Sequence, residues 1–302
     1  MDDVDFRLIQ VLRDNSRATY RELADELGLS VNSAHKRVQD LIDLGIIKQF
    51  RVFLTPKALP QYTVRVCGRS DTTSIDDTAK ALGKDPHTAR VVVSSGNSFH
   101  VVGMLEDVSD INEYANFVIR NGLIMNPTVR LLDAPPQEAK PKVSLSDLDY
   151  RIIASLQNDG RKQIVDIAGE LGTSAKTVRR RLRRMEENEL VHYGVIYDHA
   201  SLGGIFTLLD AYLKNGQDSR KAAAMIRKKY AKNLMEVRTF STLPNDITMD
   251  VWTGTMNELK TIQRSLEDEG IFEKIVPQIE YNVYYFDSWR DQYVREKARE
   301  KE

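Results

Sequence analysis

Apolar residues along the chain fall into two rhythms. Phe6, Ile9 and Leu12 stand three apart, the spacing of one helix face. Leu23, Ala24 and Leu27 make a second stripe, opened by Thr19-Tyr20-Arg21-Glu22, in which Thr19 can cap the helix and Glu22 can reach back. Gly28 then stands where a helix end calls for a left-handed residue. Ser30 can cap a third helix, in which Ala34, Val38 and Leu41 recur at i, i+4 and i+7. The run from Ile46 to Val52 changes to strand character, and the unit reads as three helices followed by a hairpin.

The helical rhythm returns 144 residues later (Asp149 minus Asp5) without a gap. Asp5, Arg7, Ile9, Leu12, Arg17, Ala24, Glu26, Leu27, Gly28, Ser30 and Arg37 all recur as the same residue type. Shared helicity would keep the periodicity but not so many identities in one register, so the chain is an internal duplication. After each copy the pattern alternates between strands and helices. It runs as YTVRVCGRS from Tyr62, a helix from Ser74, a hairpin from Ala89, a helix from Val108 and a strand from Pro127. The second half repeats that order from Phe206 to Phe286, and both read β-α-β-β-α-β. Gly122 and Pro127, with Gly270 and Pro277, mark corresponding helix ends and strand starts. A Pro-, Lys- and Glu-rich stretch from Asp133 to Ser146 predicts an extended, solvated linker.

The expected fold class is therefore α+β, with two three-helix units alternating with two ferredoxin-like βαββαβ domains. The boundaries fall at 1–55 and 56–134, a linker at 135–146, then 147–199 and 200–287, and a charged helix at 288–302. In that last segment the alternating signs predict a solvated helix rather than a nucleic-acid arm.

Composition limits the chemistry. The 302 residues carry a net charge of −1, a mild argument against nucleic acid that only a locally basic surface can overcome. Cys67 is the single cysteine, so disulfides within the chain and thiolate metal clusters are excluded. The five histidines show no ligand spacing. No Ser-His-Asp, phosphate-loop or metal signature appears, and no cofactor is expected. No apolar run is long enough for a membrane span, and the acidic, amphipathic start is unlike a secretory signal, so the expected location is the cytoplasm.

A helix-turn-helix with a wing, followed by a βαββαβ module, resembles the Lrp/AsnC family of transcription regulators. The resemblance rests on Asp5 to Leu12, Leu23 to Ser30 and Ser30 to Ile47, and in the second copy on Asp149 to Leu156 and Ile167 to Ser174. It implies binding of double-stranded DNA, assembly into dimers, and an amino acid or related metabolite as effector of the ferredoxin-like module. The tandem fusion departs from the family's usual single pair of modules. Siroheme decarboxylases resemble the chain in layout too, which would make it an enzyme, but no convincing cluster of His and Arg beside a pocket is visible. A third class, a protein-binding module, would show a flat salt dependence of any DNA binding.

The third helix of each copy is the one expected in the major groove. In the second copy Val178, Leu182 and Met185 share the apolar stripe, and the opposite face gathers Lys176, Thr177, Arg179, Arg180, Arg183 and Arg184. The first four are assigned to base edges, and Arg183 and Arg184 mainly to phosphate, because guanidinium pairs bidentately with guanine or phosphate. In the first copy the equivalent face holds Asn32, Ser33, His35, Lys36 and Gln39, where Asn and Gln can read adenine. Gly96, Asn97 and Ser98 lie where the resemblance places an effector loop. The expected assembly is a homodimer of pseudo-dimeric chains that meet through exposed sheet edges and apolar faces.

Overall fold

Helical periodicity and capping residues set the local structure of the first copy. The structure, a computed structural model, describes residues 2–133 and 143–300. Helices α1 (Asp3–Asp14), α2 (Tyr20–Leu27) and α3 (Val31–Asp43) bury the stripes led by Phe6, Leu23 and Ala34. Thr19 and Glu22 close the capping box, which holds the Glu22 carboxyl below its usual range. Gly28 takes φ 66°, a conformation costly for any residue with a Cβ. Next come β1 (Ile47–Leu54), β2 (Tyr62–Ser70), α4 (Ile75–Leu82), β3 (Thr88–Ser94), β4 (Ser98–Leu105), α5 (Ile111–Asn121) and β5 (Ile124–Leu131). The second copy repeats the helices as α6 (Asp147–Gln157), α7 (Ile164–Glu170) and α8 (Ala175–Glu187), followed by β6 (Val191–Tyr197). Then follow β7 (Ile205–Leu213), α9 (Ser219–Lys229), β8 (Leu234–Thr239), β9 (Asp246–Thr253), α10 (Met256–Asp268), β10 (Phe272–Tyr285) and α11 (Trp289–Arg299).

These elements gather into two compact units. One comprises residues 4–60, 143–201 and 287–300, and so holds both helix-turn-helix copies. Here the expected hairpins are corrected. Each copy supplies one wing strand, and β1 pairs antiparallel with β6 from Ile47 opposite Tyr197 to Leu54 opposite Val191. The return strand of each wing thus comes from the other copy. The expected solvated C-terminal helix is corrected as well. In α11 Val294 joins the second copy's apolar core, and the buried Arg290 guanidinium donates to the carbonyls of Leu54 and Leu59. The expected linker lies largely outside the described residues; at its end Val143 and Leu145 pack on that same core.

The other unit comprises residues 2–3, 61–133 and 202–286. Its strands run β5-β2-β4-β3-β10-β7-β9-β8, two four-stranded ferredoxin-like sheets in one. The long β10 makes the join: residues 272–279 pair with β7 and residues 280–285 pair with β3. The reciprocal join is shorter. Beyond β5, Leu132 bridges Phe240, Asp133 N–H donates to the Thr239 carbonyl and Ser241 N–H to that of Leu131. The outer edge of β3 is therefore taken up inside the chain, and that of β8 is met at its end, at Thr239. Pro127 and Pro277 lie within β5 and β10 rather than at their starts. Pro277 faces a stretch where β10 pairs on one side only, so its missing N–H costs no ladder bond.

Candidate nucleic-acid interface

Ser174 caps α8 through its Oγ, which accepts from Thr177 N–H at 3.1 Å. Val178, Leu182 and Met185 are buried beneath the helix. On the far side Lys176, Arg179, Arg180 and Arg183 are exposed, and Thr177 is half-buried. Lys176, Arg179 and Arg180 make no hydrogen bond or ion pair among the described residues, while Arg183 donates to Glu187 at 2.8 Å. Arg184, expected on phosphate, is instead bent onto Asp149 at 2.5 Å. Arg181 reaches the same oxygen at 3.4 Å, and Ser146 donates to it through both N–H and Oγ. Asp149 is fully buried, and the two guanidinium groups together compensate its charge. A groove of about 360 Å³ remains beside Arg180, Arg181, Arg183, Arg184 and Glu187.

The first copy shares the scaffold but differs on the surface. Ser30 caps α3 by accepting from Ser33 N–H at 3.1 Å. Asn32, His35, Lys36 and Gln39 are exposed. The His35 ring meets the edge of Tyr20, and Gln39 donates to Asp43 at 2.8 Å. Arg37 pairs with Asp5 at 2.6 Å, the counterpart of Arg181 with Asp149. The repeated Asp and Arg identities are thus a pin between the first and third helices. Both third helices keep it, while all the exposed positions around it differ.

The effector candidates lie in the turn between β3 and β4. Gly96 and Asn97 both have positive φ, and a Cβ added to Gly96 would meet open space. The Asn97 amide donates to the carbonyls of Ser70 and Thr72, and Ser98 opens β4 opposite Ser94. The same unit holds a polar layer that sequence reasoning missed. Arg65, His100, Arg130, Asp210, Arg238 and Asp250 are all buried. Their signal was alternation, as in Val64-Arg65-Val66, which ordinarily marks a solvated sheet face.

Residues 1–48 match the winged helix-turn-helix DNA-binding family, and residues 145–186 match the AsnC-type helix-turn-helix domain. An uncharacterised helix-turn-helix transcriptional regulator of Pyrococcus furiosus is 32% identical over 129 residues, covering 41% of this chain and 86% of the relative. The regulator Ptr1 of Methanocaldococcus jannaschii is 26% identical over 116 residues, covering 38% of this chain and 78% of the relative. The crystal structure of the siroheme decarboxylase NirDL covers 98% of both chains with a TM-score of 0.60 at 11% identity, a likeness of fold alone. Among the described residues no helix is long and apolar enough to cross a membrane. With a 32% identical relative covered over most of its length and a DNA-binding helix-turn-helix matched in each half, the chain belongs to the Lrp/AsnC family and is a DNA-binding transcription regulator.

Proposed function

We propose that the chain reads two unlike half-sites in double-stranded DNA, one with α3 and one with α8. The observation that carries this reading is the contrast between a shared scaffold and unshared surface: Asn32 against Lys176, His35 against Arg179, Gln39 against Arg183. In α8, Lys176, Thr177, Arg179 and Arg180 take base edges and Arg183 takes phosphate. In α3, Asn32 and Gln39 read adenine, with Ser33, His35 and Lys36 beside them. The chain acts by binding rather than by catalysis, in the cytoplasm. An amino acid or related metabolite serves as effector on the open side of Gly96, next to Asn97 and Ser98, and two chains pair as a homodimer.

Selection of bound sites from random duplexes, with the complex mass measured by light scattering, tests this reading. The expected minimal site is asymmetric, and a homodimer would protect a longer element that is palindromic only as a whole. A short perfect palindrome bound by a monomer overturns it.

A further inference from the structure

Each half of the eight-stranded unit packs its helices on one sheet face and leaves a polar second face. From the first half come Arg65 on β2, His100 on β4 and Arg130 on β5; from the second come Asp210 on β7, Arg238 on β8 and Asp250 on β9. The faces meet where Arg130 reaches Asp210 at 2.7 Å and Asp246 at 3.3 Å. Arg238 pairs with Asp250 at 2.8 Å and with Glu236. Arg65 differs: it is 2% exposed, and among the described residues its Nε and Nη1 have no hydrogen-bond acceptor.

Further orphaned atoms lie on the same faces. Among the described residues Arg238 Nη1 has no acceptor and Thr248 Oγ1 no partner. Gln278 fixes the histidine's proton. Its amide donates to Asp210 at 2.7 Å, so its Oε1 must accept, and His100 Nε2 lies 3.1 Å from that oxygen. The neutral ring therefore presents Nδ1 as an acceptor, also unpartnered, as is Asp250 Oδ1. Arg65 and His100 are diagonal neighbours on adjacent strands, with Arg65 opposite Val102 and Cys67 opposite His100. Burial, and then the positive charge of Arg238, pull the Arg65 guanidinium below its usual range, against the opposite pull of Asp250 and Cys67. A buried guanidinium beside a second cation, with its donors unspent, is costly enough that folded proteins supply it with an anion.

We propose that the interior of this unit is a binding site for one small oxyanion, of the carboxylate class, held by Arg65 and Arg238. A hydroxyl or ammonium beside the carboxylate would satisfy His100 Nδ1 and Asp250 Oδ1. The site is separate from the β3–β4 turn, and it stands whether or not occupancy alters DNA binding.

Thermal unfolding of the full chain tests it, with formate, acetate, lactate, phosphate and sulfate each compared with chloride at equal ionic strength. The wild-type midpoint should rise saturably with at least one of the three carboxylates, by on the order of 5–10 °C at a hundredfold excess over Kd, and more than with phosphate or sulfate. Arg65→Met should lose that rise while melting, in chloride, at or above the wild-type midpoint, because it removes a buried charge whose Nε and Nη1 have no hydrogen-bond acceptor in the protein. Arg65→Lys, which keeps the charge but loses the two-pronged geometry, should bind at least tenfold more weakly. Ion chromatography of the denatured wild type reads any anion carried through purification, expected at one equivalent. The assignment is overturned if no carboxylate raises the midpoint and none is carried through, or if Arg65→Met keeps the rise. It is overturned too if Arg65→Met melts far below wild type in chloride while the wild type carries no oxyanion, since Arg65 would then already be compensated by the protein.

Discussion

Arg17 and Arg161 hold each other's turns. Arg17 donates to the carbonyls of Gly160 at 2.8 Å and Lys162 at 3.4 Å, and Arg161 donates to those of Ser16 at 2.6 Å and Ala18 at 3.0 Å. The two arginines are equivalent in the repeat (161 minus 17 is 144), and so are their acceptors. Each also lies over an aromatic ring of the wing strands, Arg17 over Tyr193 and Arg161 over Phe50. A duplicated sequence has here folded into a local two-fold, with the antiparallel β1–β6 pair beside it.

Arg17→Ala or Arg161→Ala should therefore destabilise the winged-helix unit by about 2 kcal/mol, the worth of charge-assisted hydrogen bonds to carbonyls. The double variant should cost clearly less or more than the sum, because the two side chains share one interface. Denaturant unfolding of the four proteins measures this. Additive losses of a few tenths of a kcal/mol would mean that the clasp carries no weight.

The ion pairs of α8 separate residues that a charge count would treat alike. Arg179→Ala and Arg180→Ala should leave unfolding unchanged and cost about 1–3 kcal/mol each in affinity, with relaxed sequence preference. Arg183→Ala should weaken all duplexes alike and lower the slope of log K against log salt by about 0.9. Arg184→Ala should act first on stability, since it strips Asp149 of its shortest partner. Fluorescence anisotropy across a salt series, alongside denaturant melts, tells them apart. An Arg184→Ala protein of wild-type stability with weakened binding would reverse that assignment.

His100 makes a prediction about acid. Burial, then the nearby Arg65 charge, push its pKa down to about 4, against the pull of Asp210, Glu280 and Gln278. The unfolded chain, at about 6.5, binds the proton more tightly. Stability from this group is thus full above pH 6.5 and drains away as pH falls toward 4, by about 3 kcal/mol in all. His100→Gln keeps a donor toward Gln278 but has no such titration, so its stability should be flatter across that window. A wild-type curve unchanged between pH 6.5 and 4.5 would contradict the buried, neutral imidazole.

Much of this was legible because it is local. Phe6, Ile9 and Leu12 sit within one helix, and Thr19 and Glu22 within one turn, so spacing alone placed them. What escaped depends on distant partners. Arg184 looks free on a helical wheel, and only the fold brings Asp149 to it across 35 residues. The return strand of each wing comes from the other copy, and a hairpin is the default when no such partner is visible. Arg65 alternates with Val64 and Val66 as a solvated residue would, until a second sheet covers it. Arg290 sits in a segment of alternating charge whose burial depends on the carbonyls of Leu54 and Leu59.

The local two-fold carries the sharpest test of how DNA is read. If α3 and α8 differ only on their exposed faces, transplanting one face should restore symmetry to the bound site. The positions are equivalent in the repeat and either exposed or half-buried: Asn32→Lys, Ser33→Thr, His35→Arg, Lys36→Arg and Gln39→Arg together rebuild the α8 surface on α3. None of the five belongs to the buried stripe of Ala34, Val38 and Leu41, and the Asp5–Arg37 pin is untouched, so the variant should fold. Site selection from random duplexes should then return a palindrome in which both halves match the half-site of α8. Affinity should rise and the salt dependence steepen, since three of the five changes bring in a new positive charge. Selected sites that keep the wild-type asymmetry would mean that α3 does not touch bases.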